Sequence, residues 1–328
     1  MIQKRREHLI RTGLTDSTAP PRRRRLARLD VSKASQASEE TLMKRLSCCL
    51  RAAGLFVVAT GLLHATHGYC ASIDRMYVLQ CGESRTNDVS ANWSPGVDVG
   101  VARDFSDNCY LIRHAERWFL WDSGMSDGIA AKPDGVVAAN GLLTMWVRTT
   151  LTSQLQALGV APTDVTDIAF SHFHSDHVGN ANLFTSATLY IQEAEYDAAF
   201  GPNAAKFNFN SALYEKLRGN PVKKLHGDYD VFGDGSVMII ATPGHTPGHQ
   251  SLLVRLATRG PVVLSGDMVH FQENWEHRRI PLRNFDQAES KQSMEKVAEL
   301  LTRERAELWI NHDKAQSAAI PKAPAAIQ

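Results

Sequence analysis

Three imidazoles and a carboxylate fall within six consecutive positions of this 328-residue chain, in the segment Ser-His-Phe-His-Ser-Asp-His. In an extended or turning segment, His172 and His174 project to the same side and can bind one ion. Asp176 and His177 can then turn back toward a second ion. The alternative is a solvated polar loop, but four ligand-type side chains at this spacing rarely occur by chance. The spacing therefore predicts two adjacent metal ions.

Three later segments each place a further ligand-type residue just after an apolar strand. A Gly/Pro turn presents His245, which we predict to be the third ligand of the first metal. The next apolar strand leads to Asp267, whose two carboxylate oxygens can bridge two cations. The last leads to His312, which would complete the second metal.

The motifs LWDSG, HFHSDH, TPGHTPGH, SGD and NHD follow one another along the chain. In this order they resemble the metallo-β-lactamase superfamily, over roughly residues 77–313. The less specific motifs QEAEY, GDY and NFD are similar to those of the N-acyl homoserine lactonases. The resemblance implies the following ligands: His172, His174 and His245 on one metal, Asp176, His177 and His312 on the other, and Asp267 between them.

Three other polar residues near these motifs have predicted supporting roles. His249 is interpreted as structural, because the family takes its ligand from the first histidine of the doubled turn. His270 departs from the lactonase pattern, which has a tyrosine there; its imidazole could donate a hydrogen bond to a developing oxyanion, and a solvated strand-end histidine is the alternative. Asp122 resembles an aspartate that orients ligands by hydrogen bonding, with a simple turn cap as the alternative.

The amino-terminal part of the chain has the layout of an export signal. Residues 1–42 are rich in arginine and serine and are expected to be disordered. Residues 43–71 combine a charged start, an apolar stretch and a polar end, and they are predicted to be a secretory signal peptide. Because a signal peptide normally begins at the initiator methionine, we interpret Met43 as the true start and residues 1–42 as an over-annotation. A long signal or a membrane anchor is the alternative, although about a dozen apolar residues are too few to span a bilayer comfortably. We expect a periplasmic or secreted protein without stable membrane insertion after signal removal.

Removal of residues 1–71 changes the charge of the chain. That segment holds 13 Lys and Arg against 5 Asp and Glu, which leaves 23 basic and 30 acidic residues. An acidic chain without a basic stripe disfavours nucleic-acid substrates, because their phosphates need neutralising surfaces. Of the five cysteines, Cys81 and Cys109 would remain, on neighbouring predicted strands. A disulfide and two buried free thiols are equally compatible with this placement.

The elements that position these residues alternate between short apolar strands and helices. Helices are predicted over residues 147–158 and 287–303, and residues 72–328 are expected to form a single domain. This pattern indicates an α/β fold. The resemblance implies a four-layer αββα sandwich, with two mixed sheets face to face, helices outside and the metal site at one edge. The predicted strands cover residues 76–81, 108–122, 166–171, 188–192, 236–241, 250–256 and 261–266.

An apolar patch at residues 141–146 could form a roof over the site and bind an acyl tail, whereas a core or homodimer contact is the more common role of such a stripe.

Two divalent cations lower the pKa of a shared water, so a metal-bridging hydroxide would attack a lactone carbonyl. Zinc is the default metal, and iron, cobalt or manganese are alternatives. Asp176 or Asp267 would transfer the proton.

These observations predict a hydrolase that opens N-acyl homoserine lactones or related lactones, an activity known as quorum quenching. The same scaffold serves phosphotriester, β-lactam and thioester hydrolysis, and the pocket decides among them. A metal-binding protein without turnover is the alternative from a different class, and the complete ligand set argues against it.

Overall fold

A computed structural model describes residues 73–328. The predicted disordered segment and signal peptide lie outside these residues. The described residues belong to one compact unit of the chain. None of the helices found among them is long and apolar enough to cross a membrane.

Within the described residues, the first sheet has nine strands in the order β4-β5-β1-β2-β3-β6-β7-β8, with β14 beside β1. The pairs β4–β5, β5–β1, β14–β1, β1–β2 and β2–β3 are antiparallel, whereas the pairs β3–β6, β6–β7 and β7–β8 are parallel. The strands are β1 (Arg75–Thr86), β2 (Arg103–His114), β3 (Arg117–Trp121), β4 (Val136–Ala138), β5 (Leu143–Trp146), β6 (Asp167–Ala169), β7 (Thr188–Gln192), β8 (Val222–Leu225) and β14 (Ala326–Ile327).

The second sheet of this described part has five strands in the order β13-β12-β11-β10-β9. Its strand pairs are antiparallel except for β12 and β13, which are parallel. Consequently β10, β12 and β13 point in one direction and end at one edge of the sheet. The strands are β9 (Tyr229–Asp230), β10 (Val237–Ala241), β11 (Gln250–Leu256), β12 (Gly260–Leu264) and β13 (Glu307–Trp309).

The two sheets pack face to face through one apolar cluster. Ile112 and Phe119 of the first sheet belong to the same buried cluster as Ile239, Leu252 and Leu264 of the second. Alternating apolar residues along each strand supply this face, because successive side chains point to opposite sides of a sheet. The inner layer of the fold is therefore a sheet-on-sheet core.

Helices cover the outer faces of both sheets. The helices are α1 (Leu151–Ala157), α2 (Ser175–Val178), α3 (Glu193–Phe200), α4 (Gln272–Glu276), α5 (Gln287–Glu304) and α6 (Lys314–Ala319). Leu151 and Leu155 of α1 pack on the first sheet. Met294, Val297 and Leu300 of α5, spaced three residues apart, pack on the second sheet. The predicted four-layer αββα sandwich is confirmed.

Several element boundaries differ from the sequence-based prediction; strand β1, for example, continues to Thr86 instead of ending at residue 81. The apolar stretch at residues 108–122 is not one strand, because Ala115 adopts a left-handed φ of 48° and the chain turns there between β2 and β3. Helix α1 begins at Leu151 rather than at residue 147, because β5 extends to Trp146 and the Thr150 side chain accepts the N–H of Ser153 as the helix cap. Helix α5 begins at the predicted residue and extends one residue further than predicted.

Candidate metal centre

The ligand-type residues gather where parallel strands end. The loop after β6 carries His172 and His174, and His174 caps helix α2, whose first turn holds Asp176 and His177. Three residues, one after each of three strands of the second sheet, complete the set of ligand-type residues. Because carboxyl ends of parallel strands meet at one edge of each sheet, residues far apart in sequence are brought together. These later residues are His245 after β10, Asp267 after β12 and His312 after β13.

Four ligand atoms form the first group. Nε2 of His172 lies 2.8 Å from Nδ1 of His174, and Nε2 of His245 lies 3.0 Å from the same atom. Oδ2 of Asp267 lies 3.4 Å from His245 Nε2 and 3.8 Å from His172 Nε2. The four atoms are all within 4.8 Å of one another, so one small cation could contact them all.

A second group faces the other oxygen of Asp267. Ligand atoms of Asp176, His177 and His312 also lie within 4.8 Å of one another. Oδ1 of Asp267 is 3.1 Å from His177 Nε2 and 2.9 Å from His312 Nε2. The two oxygens of this one carboxylate therefore face two different histidine groups, as expected of a bridging ligand.

The donor set fits divalent cations on an observation of this structure. Nε2 of His177 and Oδ1 of Asp267 are fully buried, and neither has a hydrogen-bond partner among the described residues. Unpaired buried polar atoms are costly unless something else satisfies them. Imidazole nitrogens and carboxylate oxygens are ligands of zinc and of the neighbouring transition metals. The residues therefore fit a site for a divalent metal, and their donor atoms suit zinc and the neighbouring transition metals alike.

For His172, His245 and Asp267 the electrostatics favour the protonation states that bind metal. Burial lowers the pKa of His172 and of His245 well below the usual value, which keeps both imidazoles neutral. Burial alone would raise the pKa of Asp267, but the facing histidines, His312 foremost, hold it well below its usual range. Neutral imidazoles and an ionised carboxylate are the forms that bind cations. At His177 and His312 burial alone would lower the pKa, but Asp267 raises the pKa of His177 well above its usual value and that of His312 to about 9, so these two rings must lose a proton when a cation binds.

Backbone carbonyls orient the imidazoles from outside the centre. Nδ1 of His312 lies 2.8 Å from the carbonyl oxygen of Ser106, and Nε2 of His174 lies 3.1 Å from that of Phe207. A carbonyl only accepts, so each of these nitrogens carries the proton and the other nitrogen presents its lone pair to the centre. The strands and loops thus select the tautomer of each ring.

Asp122, which the resemblance predicts to be an orienting aspartate, hydrogen-bonds to the predicted ligand His177. Its Oδ2 lies 3.0 Å from Nδ1 of His177, and its Oδ1 accepts the backbone N–H of Ser171 at 2.6 Å. The backbone of Asp122 is left-handed, with φ of 57°, a conformation that few non-glycine residues adopt. Ser171, whose Oγ is 3.1 Å from Nδ1 of both His172 and His177, is a supporting residue that sequence reasoning missed.

His249 lies behind Asp267 and outside the ligand groups, in agreement with its predicted structural role. Its Nε2 accepts the backbone N–H of Asp267 at 2.9 Å, and its Nδ1 donates to the carbonyl oxygen of Thr242 at 3.0 Å. Gly266 makes room for this contact, since a Cβ there would lie 2.7 Å from His249 Nε2 and 2.6 Å from the Ser171 Cβ. The φ of Gly266 is also +54°. The second histidine of the doubled turn therefore holds Asp267, the predicted bridging residue, in place.

Glu195 is a second supporting residue for which sequence reasoning named only a motif. Its carboxylate accepts the backbone N–H of Phe173 at 3.1 Å and of Gly248 at 2.9 Å, and it joins the loop after β6 to the doubled turn. Burial raises its pKa to about 7. An acidic residue at the start of α3 is also a common helix-terminus feature, so its position in the sequence did not reveal this link.

His270 is buried beside the bridging residue, so the solvated alternative is wrong. Its Nε2 lies 3.2 Å from Oδ2 of Asp267, and its ring stacks on that of His312 with centroids 5.3 Å apart. Only 2% of the residue is exposed, and Nδ1 has no hydrogen-bond partner in the described part of the chain. His270 therefore presents its imidazole at the inner wall of the site.

A cavity of about 730 Å³ opens above the centre. Leu142, Leu143 and Met145 of the predicted apolar patch line it together with His174, Asp176, His245 and Asp267. Trp146 does not line this cavity; its ring lies against the Arg148 guanidinium instead. The cavity therefore offers both ligand-type and apolar side chains, a combination that suits a small molecule with a polar and an apolar part.

The chain is similar to one protein family and to individual lactonases of bacteria. Residues 102–305 match the model of the family described as Metallo-beta-lactamase superfamily. The chain is 31% identical over 261 residues to the N-acyl homoserine lactonase AttM of Rhizobium radiobacter, across 76% of this chain and 97% of that protein. It is 30% identical over 246 residues to the N-acyl homoserine lactonase of Bacillus cereus, across 74% and 94%.

A solved structure has a similar fold and is described as an N-acyl homoserine lactone hydrolase with the product N-hexanoyl-L-homoserine bound at the catalytic metal center. It superimposes with a TM-score of 0.69 at 26% identity, covering 78% of this chain and all (100%) of that one. AidC, described as a dizinc quorum-quenching lactonase, has the same fold with a TM-score of 0.56 at 19% identity, covering 78% and 96%. With a family model that spans most of the fold and relatives covered almost end to end, the chain belongs to the metallo-beta-lactamase superfamily.

Proposed function

We propose that this protein is a metal-dependent hydrolase that opens the lactone ring of N-acyl homoserine lactones. The observation that carries the proposal is the carboxylate of Asp267, whose two oxygens face separate histidine groups beneath a partly apolar cavity. The named relatives that this chain covers almost completely are lactonases of this kind. Their similarity supports the substrate class as well as the chemistry.

Two divalent cations, with zinc as the default, are proposed to occupy the centre. When bound, they would supply a hydroxide nucleophile at neutral pH and draw electron density from a carbonyl oxygen. The ligands proposed for the first cation are His172, His174 and His245, those for the second are Asp176, His177 and His312, and Asp267 is proposed to contact both.

Three residues of the site are proposed to act during the reaction itself. His270, whose Nε2 is turned toward the centre, would donate a hydrogen bond to the oxygen that gains charge as the lactone carbonyl is attacked. Asp267, which is buried, is one of the two candidates for transfer of the proton. Asp176 is the other. Asp176 has 27% of its side chain exposed and lines the cavity, so it can exchange a proton with solvent and deliver it to the departing alkoxide.

The mixed lining of the cavity supports an acyl homoserine lactone as substrate. The polar ring would lie against the ligand-type residues, and the acyl chain would contact Leu142, Leu143 and Met145. Each methylene removed from water contributes about 0.8 kcal/mol. A substrate with an acyl tail would therefore bind more tightly than the bare lactone ring.

The first test is proton release from a short-chain and a long-chain N-acyl homoserine lactone, with the metal-loaded and the chelator-treated protein compared side by side. Rapid acid release that depends on metal supports the proposal. Bound metal without lactone opening would contradict it, and phosphotriesters and β-lactams would then be the substrates to assay.

A second test separates a catalyst from a metal-binding protein without turnover. Substitution Asp267→Asn removes the shared negative charge and should abolish nearly all turnover, whereas Asp164→Asn, on an exposed turn, is the matched control. Metal content measured by atomic emission accompanies the rates. If the wild-type protein binds lactone and metal but releases no acid, the enzyme proposal is wrong.

We also propose that the protein acts outside the cytoplasm. Cys81 and Cys109 are joined by a disulfide in the structure, which resolves the alternative that the sequence left open. Structural disulfides are typical of exported proteins. The proposal predicts that the mature protein from the native host begins near residue 72, and amino-terminal sequencing of that protein would test it.

A further inference from the structure

A second, smaller groove lies next to the cavity above the metal centre. Its volume is about 390 Å³, and part of its lining is apolar: Ala194, Ala198, Pro202, Phe207, Pro247 and Phe285. Its charged lining residues are Asp197, which pairs with Lys224, and the exposed Lys206. None of the proposed metal ligands lines this groove, so the reaction itself gives it no role.

Three residues line both the groove and the cavity: Lys206, Phe207 and Phe285. The ring centroids of the two phenylalanines are 5.8 Å apart. Phe285 is 54% exposed and does not belong to the buried core. Such exposure is unusual for a large apolar side chain and indicates a binding role. Rings in this position form a boundary that an apolar chain could pass.

Each of the two rings is tied through its backbone to a proposed ligand of the first cation. The carbonyl oxygen of Phe207 accepts a hydrogen bond from His174 Nε2, and the backbone N–H of Phe285 donates to the carbonyl oxygen of His245 at 3.1 Å. The two residues are therefore anchored beside these histidines, and their side chains line both the cavity and the groove.

On the basis of the proposed function, we propose that the groove binds the far end of a long acyl chain, which leaves the cavity between Phe207 and Phe285. Short acyl chains would stay within the cavity. The groove continues the cavity and shares its two aromatic rings, which identifies the substrate's own tail as its occupant. Pro247, in the second half of the doubled TPGH turn, thereby has a role as part of the groove wall.

The test compares hydrolysis of butanoyl and dodecanoyl homoserine lactone by the full-length, metal-loaded protein. Ala194 is exposed at the groove and is not in the reaction centre, so Ala194→Phe fills the groove and Ala194→Ser is the matched control. Each methylene that leaves the groove costs about a fourfold loss in kcat/KM. We expect Ala194→Phe to lower kcat/KM for the dodecanoyl substrate at least tenfold, while the butanoyl value changes less than twofold.

Two further variants make the test decisive. Phe285→Ser removes one of the two rings and should reduce the dodecanoyl-to-butanoyl ratio in the same direction. Leu142→Ala changes a residue that lines the cavity but not the groove. An unchanged ratio in Ala194→Phe and Phe285→Ser, together with a lower ratio in Leu142→Ala, would overturn the groove proposal. Failure of the wild-type protein to open either lactone would instead contradict the proposed function, so the two failures are distinguishable.

Discussion

At the scale of single residues, the centre depends on groups that orient the ligands as much as on the ligands. Asp122 contacts His177 and the backbone of Ser171, and both connections are buried. A carboxylate that accepts a hydrogen bond from a ligating imidazole raises the basicity of that ring and restrains its rotation. A substitution at such a residue should therefore weaken metal binding without removing a ligand.

We expect Asp122→Asn to weaken metal affinity by about 10- to 100-fold, because the amide's NH₂ group cannot accept the hydrogen bond that His177 Nδ1 donates. Competition with a chromophoric chelator measures the affinity. Asp164→Asn, at an exposed turn, is the control with the same change of charge. Equal affinities of the two variants would show that Asp122 is only a turn residue.

Glu195 predicts a pH-dependent stability, since burial raises its folded-state pKa from 4.5 to about 7. Between these values the folded protein binds more protons than the unfolded chain, so stability falls as pH rises through this window, by up to about 3 kcal/mol. Glu195→Gln removes this ionisation. We therefore expect the substitution to cost more stability at pH 5 than at pH 8.

Urea unfolding of the two chelator-treated proteins at pH 5 and pH 8 checks this expectation. Other titrating groups are present in both proteins, and their contributions cancel in the difference between them. A destabilisation that is constant with pH, or larger at pH 8, would contradict the buried, raised-pKa description of Glu195.

At the scale of elements, the centre is built from turns at the carboxyl ends of strands. At Gly266 the turn after β12 packs against Ser171 Cβ in the loop after β6 and against the His249 ring. The same turn carries Asp267, so its path determines where the Asp267 carboxylate lies. This close packing leaves no room for a side chain at Gly266.

Gly266→Ala should destabilise the protein by at least 1–3 kcal/mol, the cost of a strained left-handed residue, because its Cβ would also lie 2.6 Å from that of Ser171. It should also reduce metal content, since the turn that carries Asp267 must move. Gly219→Ala is the control, because a Cβ at Gly219 meets nothing within 4 Å. Thermal unfolding and metal analysis measure both effects; wild-type values for Gly266→Ala would contradict the packing argument.

At the scale of the whole molecule, the two sheets hold the centre between them, and the disulfide ties the first sheet internally. Cys81 on β1 and Cys109 on β2 are 28 residues apart and are buried in the cluster on that sheet's outer face. Neither cysteine belongs to the ligand groups. The disulfide is therefore expected to support the scaffold and to leave the chemistry unchanged.

Reduction of the disulfide should lower the free energy of unfolding by about 3 kcal/mol, because the unfolded chain regains freedom when a loop of this length opens. Urea titrations with and without reductant measure the change. The double variant Cys81→Ala/Cys109→Ala is the control and should not respond to reductant. Loss of metal from the folded, reduced protein would contradict the separation of scaffold and centre.

Local patterns determined which residues could bind metal and which elements would carry them. The H-x-H-x-D-H spacing and the strands that lead to His245, Asp267 and His312 were readable because a ligand following an apolar run is a local feature. Helix α5 was predicted almost to its last residue, since its apolar spacing and the Asp286 cap are also local. The boundaries of β2, β3 and α1 were not, because a backbone turn and a neighbouring strand decided them.

Only the tertiary structure decided how these residues cooperate. The opposing directions of the two Asp267 oxygens, the buried position of His270 and the link made by Glu195 depend on contacts between segments far apart in the chain. The aromatic boundary between Phe207 and Phe285 likewise joins two loops. Periodicity and spacing report which side chains an element presents, whereas the packing of two sheets determines which of them meet and what they exclude from water.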